Sequence, residues 1–197
     1  MSGIPAGGRF SGQVVVITGS ATGIGRATAI RFASEGAAVA CLDIEQEENE
    51  ATAADASALG TQAVAFACDV RSRVEQEAAI VAVVERWGRI DVLVACAGSY
   101  VGGPLPDITL ERWNDLVAVN LTGVLVSNSL VSSIMIEQGC GAIVNISSIS
   151  GLVGQRHVHA GYNASKGAVH IMTKSVSYTH LRAHETEADL VCRLLLE

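Results

Sequence analysis

An α/β fold, a three-layer doubly wound parallel sheet, is predicted by three observations. Short apolar runs rich in Val, Ile and Ala alternate with longer stretches of helical period. Glycines close the first three of those helical stretches. A glycine-rich loop joins the first apolar run to the first helix. Strands alternating with helices at this spacing make βαβ units, whose parallel sheet is buried on both faces and whose crossovers are right-handed.

The run QVVVIT over 13–18 predicts the first strand, and the helix over 23–35 ends at Gly36. AAVACLD over 37–43 is the second strand, followed by an acidic, alanine-rich helix over 45–59 closed by Gly60. A third strand lies within 61–70, a helix over 72–87 closes at Gly88, and a fourth strand lies within 89–98. One long helix is expected over 110–137, a fifth strand over 141–148, and a last helix from near Tyr162. No repeats, low-complexity tracts or proline-rich linkers interrupt this pattern.

The chain of 197 residues predicts one domain, and 49% apolar residues suffice for a large core. A net charge of -7 without a basic run argues against nucleic acid or an anionic membrane as partner. No apolar stretch suggests a membrane span, and the first residues lack a signal-peptide pattern. Five cysteines (Cys41, Cys68, Cys96, Cys140 and Cys192) show neither CxxC nor metal-type spacing. They are expected to be free thiols in a reducing cytoplasm, with no metal site.

The loop Thr18–Gly25, TGSATGIG, has the composition of a phosphate cradle. A phosphate needs backbone N–H donors at a helix N-terminus and no side chain in the way, which Gly19, Gly23 and Gly25 provide. An ordinary strand–helix turn is the alternative. Asp43 ends the second strand, where a carboxylate can accept from both adenosine ribose hydroxyls and repel a 2′-phosphate. A solvated strand-end Asp is the alternative there, and a helix cap is the alternative for Asp69. In Tyr162-Asn163-Ala164-Ser165-Lys166, an i,i+4 pair puts a phenol and an ammonium on one helix face. A neighbouring ammonium favours phenolate, the form a tyrosine needs for acid/base work.

The TGxxxGxG spacing, Asp43, and YNASK following a strand that ends in Ser147-Ser148 resemble the short-chain dehydrogenase/reductase family. That resemblance implies a Rossmann fold and an NAD(H)-dependent oxidoreductase interconverting a secondary alcohol and a ketone. It implies that Tyr162 exchanges the proton, Ser148 holds the carbonyl oxygen, Lys166 binds the ribose and assists Tyr162, and Asn120 supports a proton relay. Ser148 is preferred to Ser147 because the family generally uses the second serine. Gly19, Ser20, Thr22, Gly23, Ile24, Gly25, Asp43, Asp69, Val70, Cys96, Ala97 and Gly98 would hold NAD together with Tyr162 and Lys166. No Arg or Lys stands at Thr22 or Ile44, where NADP-preferring members often carry one. The family's NNAG stands here as Ala95-Cys96-Ala97-Gly98, with both bracing asparagines replaced and Cys96 expected to be a packed residue rather than a nucleophile. His157 and His159 precede Tyr162, either bordering the substrate or exposed on a loop.

The resemblance covers about 11–175. Residues 1–175 are therefore read as an incomplete domain, and the fold as stopping after the fifth strand and the start of the next helix. Residues 176–197, VSYTHLRAHETEADLVCRLLLE, resemble translated sequencing-adapter DNA and are expected to form a non-native tail rather than a sixth strand. His180, His184 and Cys192 then carry no function. The intact parent is expected to be a homo-oligomer, dimer or tetramer. A dinucleotide-binding fragment without turnover is the alternative to an active enzyme.

Overall fold

The computed structural model describes residues 7–153 and 160–179, with side chains described to residue 177. The first half comprises β1 (Val14–Thr18), α1 (Gly23–Ser34), β2 (Ala38–Asp43), α2 (Gln46–Ser57), β3 (Ala63–Ala67) and α3 (Arg73–Trp87). The second half comprises β4 (Val92–Ala95), α4 (Leu110–Val117), α5 (Val124–Gln138), β5 (Ala142–Asn145) and α6 (Ala160–Thr179). All strand pairs are parallel, in the order β3-β2-β1-β4-β5. This is the doubly wound, Rossmann-like sheet the sequence predicts.

Alternation along the strands divides the core in two. Val14, Val16, Ala40, Leu42 and Leu93 face one way and pack on Ala79, Ile80 and Val83 of α3 and on Val131 and Met135 of α5. Val15, Ile17, Val39, Cys41, Val92 and Val94 face the other way, onto Ala29 and Ala33 of α1 and Ala53 and Ala56 of α2. Small residues on α1 let it lie close to the sheet, which sets its N-terminus against the end of β1. The order of strands reverses between β1 and β4, and the carboxyl ends there open a crevice.

The pattern over 110–137 predicts one continuous helix, and the structure corrects this. A π-helical turn at Ala118–Gly123 separates α4 from α5. Leu110–Gln138 is also long and apolar enough by composition to match a membrane span, which the apolar-run criterion misses. Its inward stripe of Leu116, Asn120, Val124, Ser127, Asn128, Val131 and Met135 is buried in the protein, as in a core helix. α6 begins two residues before Tyr162 and includes 176–179; 180–197, with His180, His184 and Cys192, lie outside the described residues.

The chain before β1 folds back over the end of α1. The Phe10 amide donates to the Glu35 carbonyl at 3.0 Å, the Phe10 and Phe32 rings meet edge-on at 4.7 Å, and Arg9 and Arg31 both pair with the buried Glu35 carboxylate. The Arg9 hydrogen bond, opposed by burial and aided by Arg31, holds the Glu35 carboxyl below its ordinary 4.5. A depressed folded value stabilises the fold above the unfolded value, and that contribution is lost as pH falls through the folded one. Glu35→Gln is therefore expected to flatten the fall in Tm on acidification below about pH 4.5. An identical acid limb in a scan of Tm against pH would contradict this.

Candidate active site

The crevice is an open cleft of about 810 Å³ at the carboxyl ends of β1, β2, β4 and β5. Most of the residues singled out from sequence line it: Gly19, Thr22, Gly23, Ile24, Gly25, Asp43, Asp69, Val70, Cys96, Ala97, Gly98, Ser148, Tyr162 and Lys166. Ser20 and Asn120 do not; both are fully buried behind its wall. His157 and His159 lie outside the described residues.

The glycine loop is shaped by close approaches that only hydrogen at Cα permits. A Cβ at Gly25 would fall 1.9 Å from the Gly19 carbonyl oxygen, and one at Gly19, with φ +70°, 2.6 Å from Cα of Ala97. α1 therefore starts tight against the loop. Thr22 makes no side-chain cap, and the first turn of α1 holds no acidic residue, whereas α2, α3 and α4 carry Glu47 and Glu48, Glu75, and Glu111 there. The first turn of α1 lines the cleft, and no acidic side chain of its own offsets the positive end of its dipole.

Ser20 supports the loop from behind. Its hydroxyl donates to Asn49 Oδ1 at 2.7 Å, and Asn49 in turn donates to the carbonyls of Cys41 and Phe66. Asp43 joins loop to strand: one carboxylate oxygen accepts from the Ala21 amide at 2.8 Å and the other from the Glu45 amide at 3.0 Å. Asp69 accepts three guanidinium contacts of 2.7–3.0 Å from Arg71, which hold its carboxyl below its ordinary value. Ser72, not Asp69, caps α3.

Where the family pattern has asparagines, the loop at Cys96–Gly98 is held by other groups. Thr18 Oγ1 accepts from the amides of Cys96 and Ala97 at 3.2 Å each. The Asn120 side chain clasps the next residue, accepting from the Ser99 amide at 2.7 Å and donating to the Ser99 carbonyl at 2.9 Å. Burial raises the Cys96 thiol above its ordinary value, against the pull of Lys166, so a reactive thiolate is disfavoured.

α6 carries Tyr162 and Lys166 to the cleft. Tyr162 lies in its first turn, and Lys166 follows one turn later with its Nζ 5.9 Å from the Tyr162 ring centre. Lys166 is 4% exposed and donates to the Ile146 carbonyl at 2.7 Å. Burial pushes its ammonium below the ordinary 10.5. Ser147 donates to the Lys166 carbonyl at 2.9 Å, which fixes α6 against the end of β5. Ser148 accepts from the Ser150 amide at 3.2 Å, so its own proton can serve an oxygen in the cleft. The two serines thus differ: the first is committed to the helix, the second is directed by what enters.

Tyr100, Arg71, Asn49 and Gln76 were not legible as site residues. Tyr100 lines the cleft and meets the Tyr162 ring edge-on at 5.6 Å. Gln76 did leave a signal, as a lone polar residue on the buried stripe of α3.

A family model described as short chain dehydrogenase matches residues 13–187, past the point at which the resemblance was expected to end. D-threitol dehydrogenase of Mycolicibacterium smegmatis is 38% identical over 161 residues, which are 82% of this chain and 62% of that protein. Sorbitol dehydrogenase of Cereibacter sphaeroides is 38% identical over 175 residues, 88% of this chain and 67% of that one. The crystal structure of an NAD+-bound xylitol dehydrogenase superposes with a TM-score of 0.84 at 34% identity, covering 86% of this chain and 65% of that one. The chain thus spans about two thirds or less of the length of these relatives. By this match and by its fold, the chain belongs to the short chain dehydrogenase family.

Proposed function

We propose that the chain is the dinucleotide-binding and catalytic part of an NAD(H)-dependent oxidoreductase that interconverts a secondary alcohol and a ketone. The observation that carries this is the meeting of Tyr162 and a buried, anchored Lys166 with the glycine loop and Asp43 in one cleft. The residues fit a dinucleotide. The Gly19–Gly25 approach leaves backbone where a pyrophosphate needs it, and the α1 N-terminus supplies donors. Asp43 retains lone pairs for ribose hydroxyls beyond the two amides it accepts.

NAD, when bound, supplies the hydride acceptor at nicotinamide C4. Lys166 uses one N–H on Ile146 and keeps two for the nicotinamide ribose. As phenolate, the Tyr162 oxygen takes the alcohol proton in oxidation, and as phenol it returns that proton to the carbonyl oxygen in reduction. Ser148 donates to the same oxygen and holds developing charge. Asn120 acts at one remove, holding Ser99 and donating to Ser165 Oγ at 3.2 Å, while Ser165 donates to the Tyr162 carbonyl at 2.8 Å. The polyol dehydrogenases among the relatives make small polyols the first substrates to try.

NAD is preferred over NADP in this reading because the Asp43 carboxylate faces the ribose position and Ile44 carries no charge. Arg71, the basic group that lines the cleft nearby, is tied to Asp69. NADH is expected to bind at least about tenfold, or ~1.4 kcal/mol, more tightly than NADPH. Asp43→Ala combined with Ile44→Arg should reverse the order. Fluorescence titration with both dinucleotides checks this, and equal affinities in the unmodified chain would contradict it.

A further inference from the structure

Behind the cleft, a buried amide joins two segments that the mechanism treats separately. Gln76 is 1% exposed in the middle of an apolar stripe on α3. Its Nε2 donates to the Val70 carbonyl at 2.5 Å and to the Gly123 carbonyl at 3.3 Å, and its Oε1 accepts from the Ser127 hydroxyl at 2.6 Å. Two carbonyls on one side and a hydroxyl on the other use both ends of the amide, so an apolar side chain of the same shape leaves polar groups without partners. Val70 is part of the cleft wall. Gly123 is the last residue of the π turn that carries Asn120. Those two residues also touch directly: a Cβ at Gly123 would fall 3.0 Å from Cβ, Cγ2 and the carbonyl oxygen of Val70.

We propose that Gln76 is a positioning residue that locks the Val70 wall of the cleft to the π turn, so that an adenine nucleotide seated against Val70 sets the placement of Asn120. From Asn120 the path is short. Its amide clasps Ser99 beside Gly98 and reaches Ser165, which is bonded to the Tyr162 carbonyl. A Cβ at Gly98 would lie 3.6 Å from Asn120 Oδ1 and 3.7 Å from Lys166 Nζ, so this clasp and the lysine share one wall. Displacing Val70 moves Gly123 with it, because two hydrogen bonds from one rigid amide and a tight approach at Gly123 join them. The inference rests on the dinucleotide reading, since it takes the Val70 side of the cleft as the adenine end.

The test uses AMP, which fills only the adenine end, and amide hydrogen exchange followed residue by residue in the full chain. AMP is expected to slow exchange at the Ser99 amide and over 119–124 by at least about fivefold. In Gln76→Met, which keeps the shape and removes the bonds, AMP should still bind while the slowing at Ser99 is lost. Ser127→Ala removes the bond to Oε1 and the hydroxyl's contact with the Gly123 carbonyl at 3.0 Å, leaves both Nε2 bonds of Gln76 in place, and should show a partial loss, giving a readout if Gln76→Met fails to fold. A purely structural role would lower Tm in both variants without altering the response to AMP. Bound AMP with unchanged exchange at Ser99 in the parent chain, or full slowing in a folded Gln76→Met or Ser127→Ala, would overturn the proposal. Failure of the folded parent chain to bind AMP would instead overturn the dinucleotide reading on which it rests.

Discussion

Tyr162→Phe is expected to lower the rate of alcohol oxidation by about 10²–10⁴-fold while leaving NADH affinity within a few-fold of the parent, the range typical of a lost general acid/base. The phenyl ring keeps the shape that meets Tyr100 at 5.6 Å and lies beside Lys166, so the cleft wall stays in place. Only the hydroxyl is removed, and the Ser148 hydroxyl, which accepts from the Ser150 amide, is not a base that can replace it. Steady-state kinetics with NADH titration in parallel separates the two effects. Retention of more than about a tenth of the rate would contradict a proton-transfer role for Tyr162.

Gly25→Ala is expected to lower dinucleotide affinity by at least about tenfold and to lower Tm, since overpacking a tight contact costs about 1–3 kcal/mol. The added methyl would stand 1.9 Å from the Gly19 carbonyl oxygen and 2.7 Å from its carbon, both backbone atoms that cannot rotate aside. Relief requires α1 to move off the loop, which carries its N–H groups away from the phosphate position. Gly23→Ala is the control. A Cβ there meets no protein atom within 4 Å, so its penalty within the fold is the positive φ of +56°, worth about 1–2 kcal/mol. The ordering expected in a titration with NADH is parent, then Gly23→Ala, then Gly25→Ala. Equal affinity in parent and Gly25→Ala would show that the loop does not hold the dinucleotide.

Much of this architecture was legible because the strands are continuous apolar runs and the glycines close helices. VVVIT could hardly be anything but a buried strand, and all five of its residues are buried. Edges were less legible: the fifth strand, read over 141–148, shrinks to Ala142–Asn145 because the outermost strand has one neighbour and partly exposed faces. The π turn was not legible at all. Its local sequence keeps helical periodicity, and what accompanies the extra residue is a long-range clasp of Asn120 on Ser99, 21 positions away. Residues whose role is a contact with a distant backbone group, such as Asn49 and Gln76, carry no short-range signature beyond a polar side chain at a core position. The substituted asparagines at Ala95 and Cys96 show the same limit from the other side. Thr18 already sits on β1, and its bond to two amides of the loop is visible only once the strands pair.

Transfer of deuterium from a labelled alcohol to the dinucleotide tests the central claim most directly, because it needs binding, proton removal and hydride transfer at once. The chain is incubated with NAD+ and with xylitol, sorbitol or threitol carrying deuterium on carbon, and the NADH formed is weighed by mass spectrometry. One deuterium per NADH from at least one of these polyols, absent with Tyr162→Phe, is the expected result. A folded chain that binds NADH but transfers no label from any of them would contradict the account and leave a dinucleotide-binding protein without turnover.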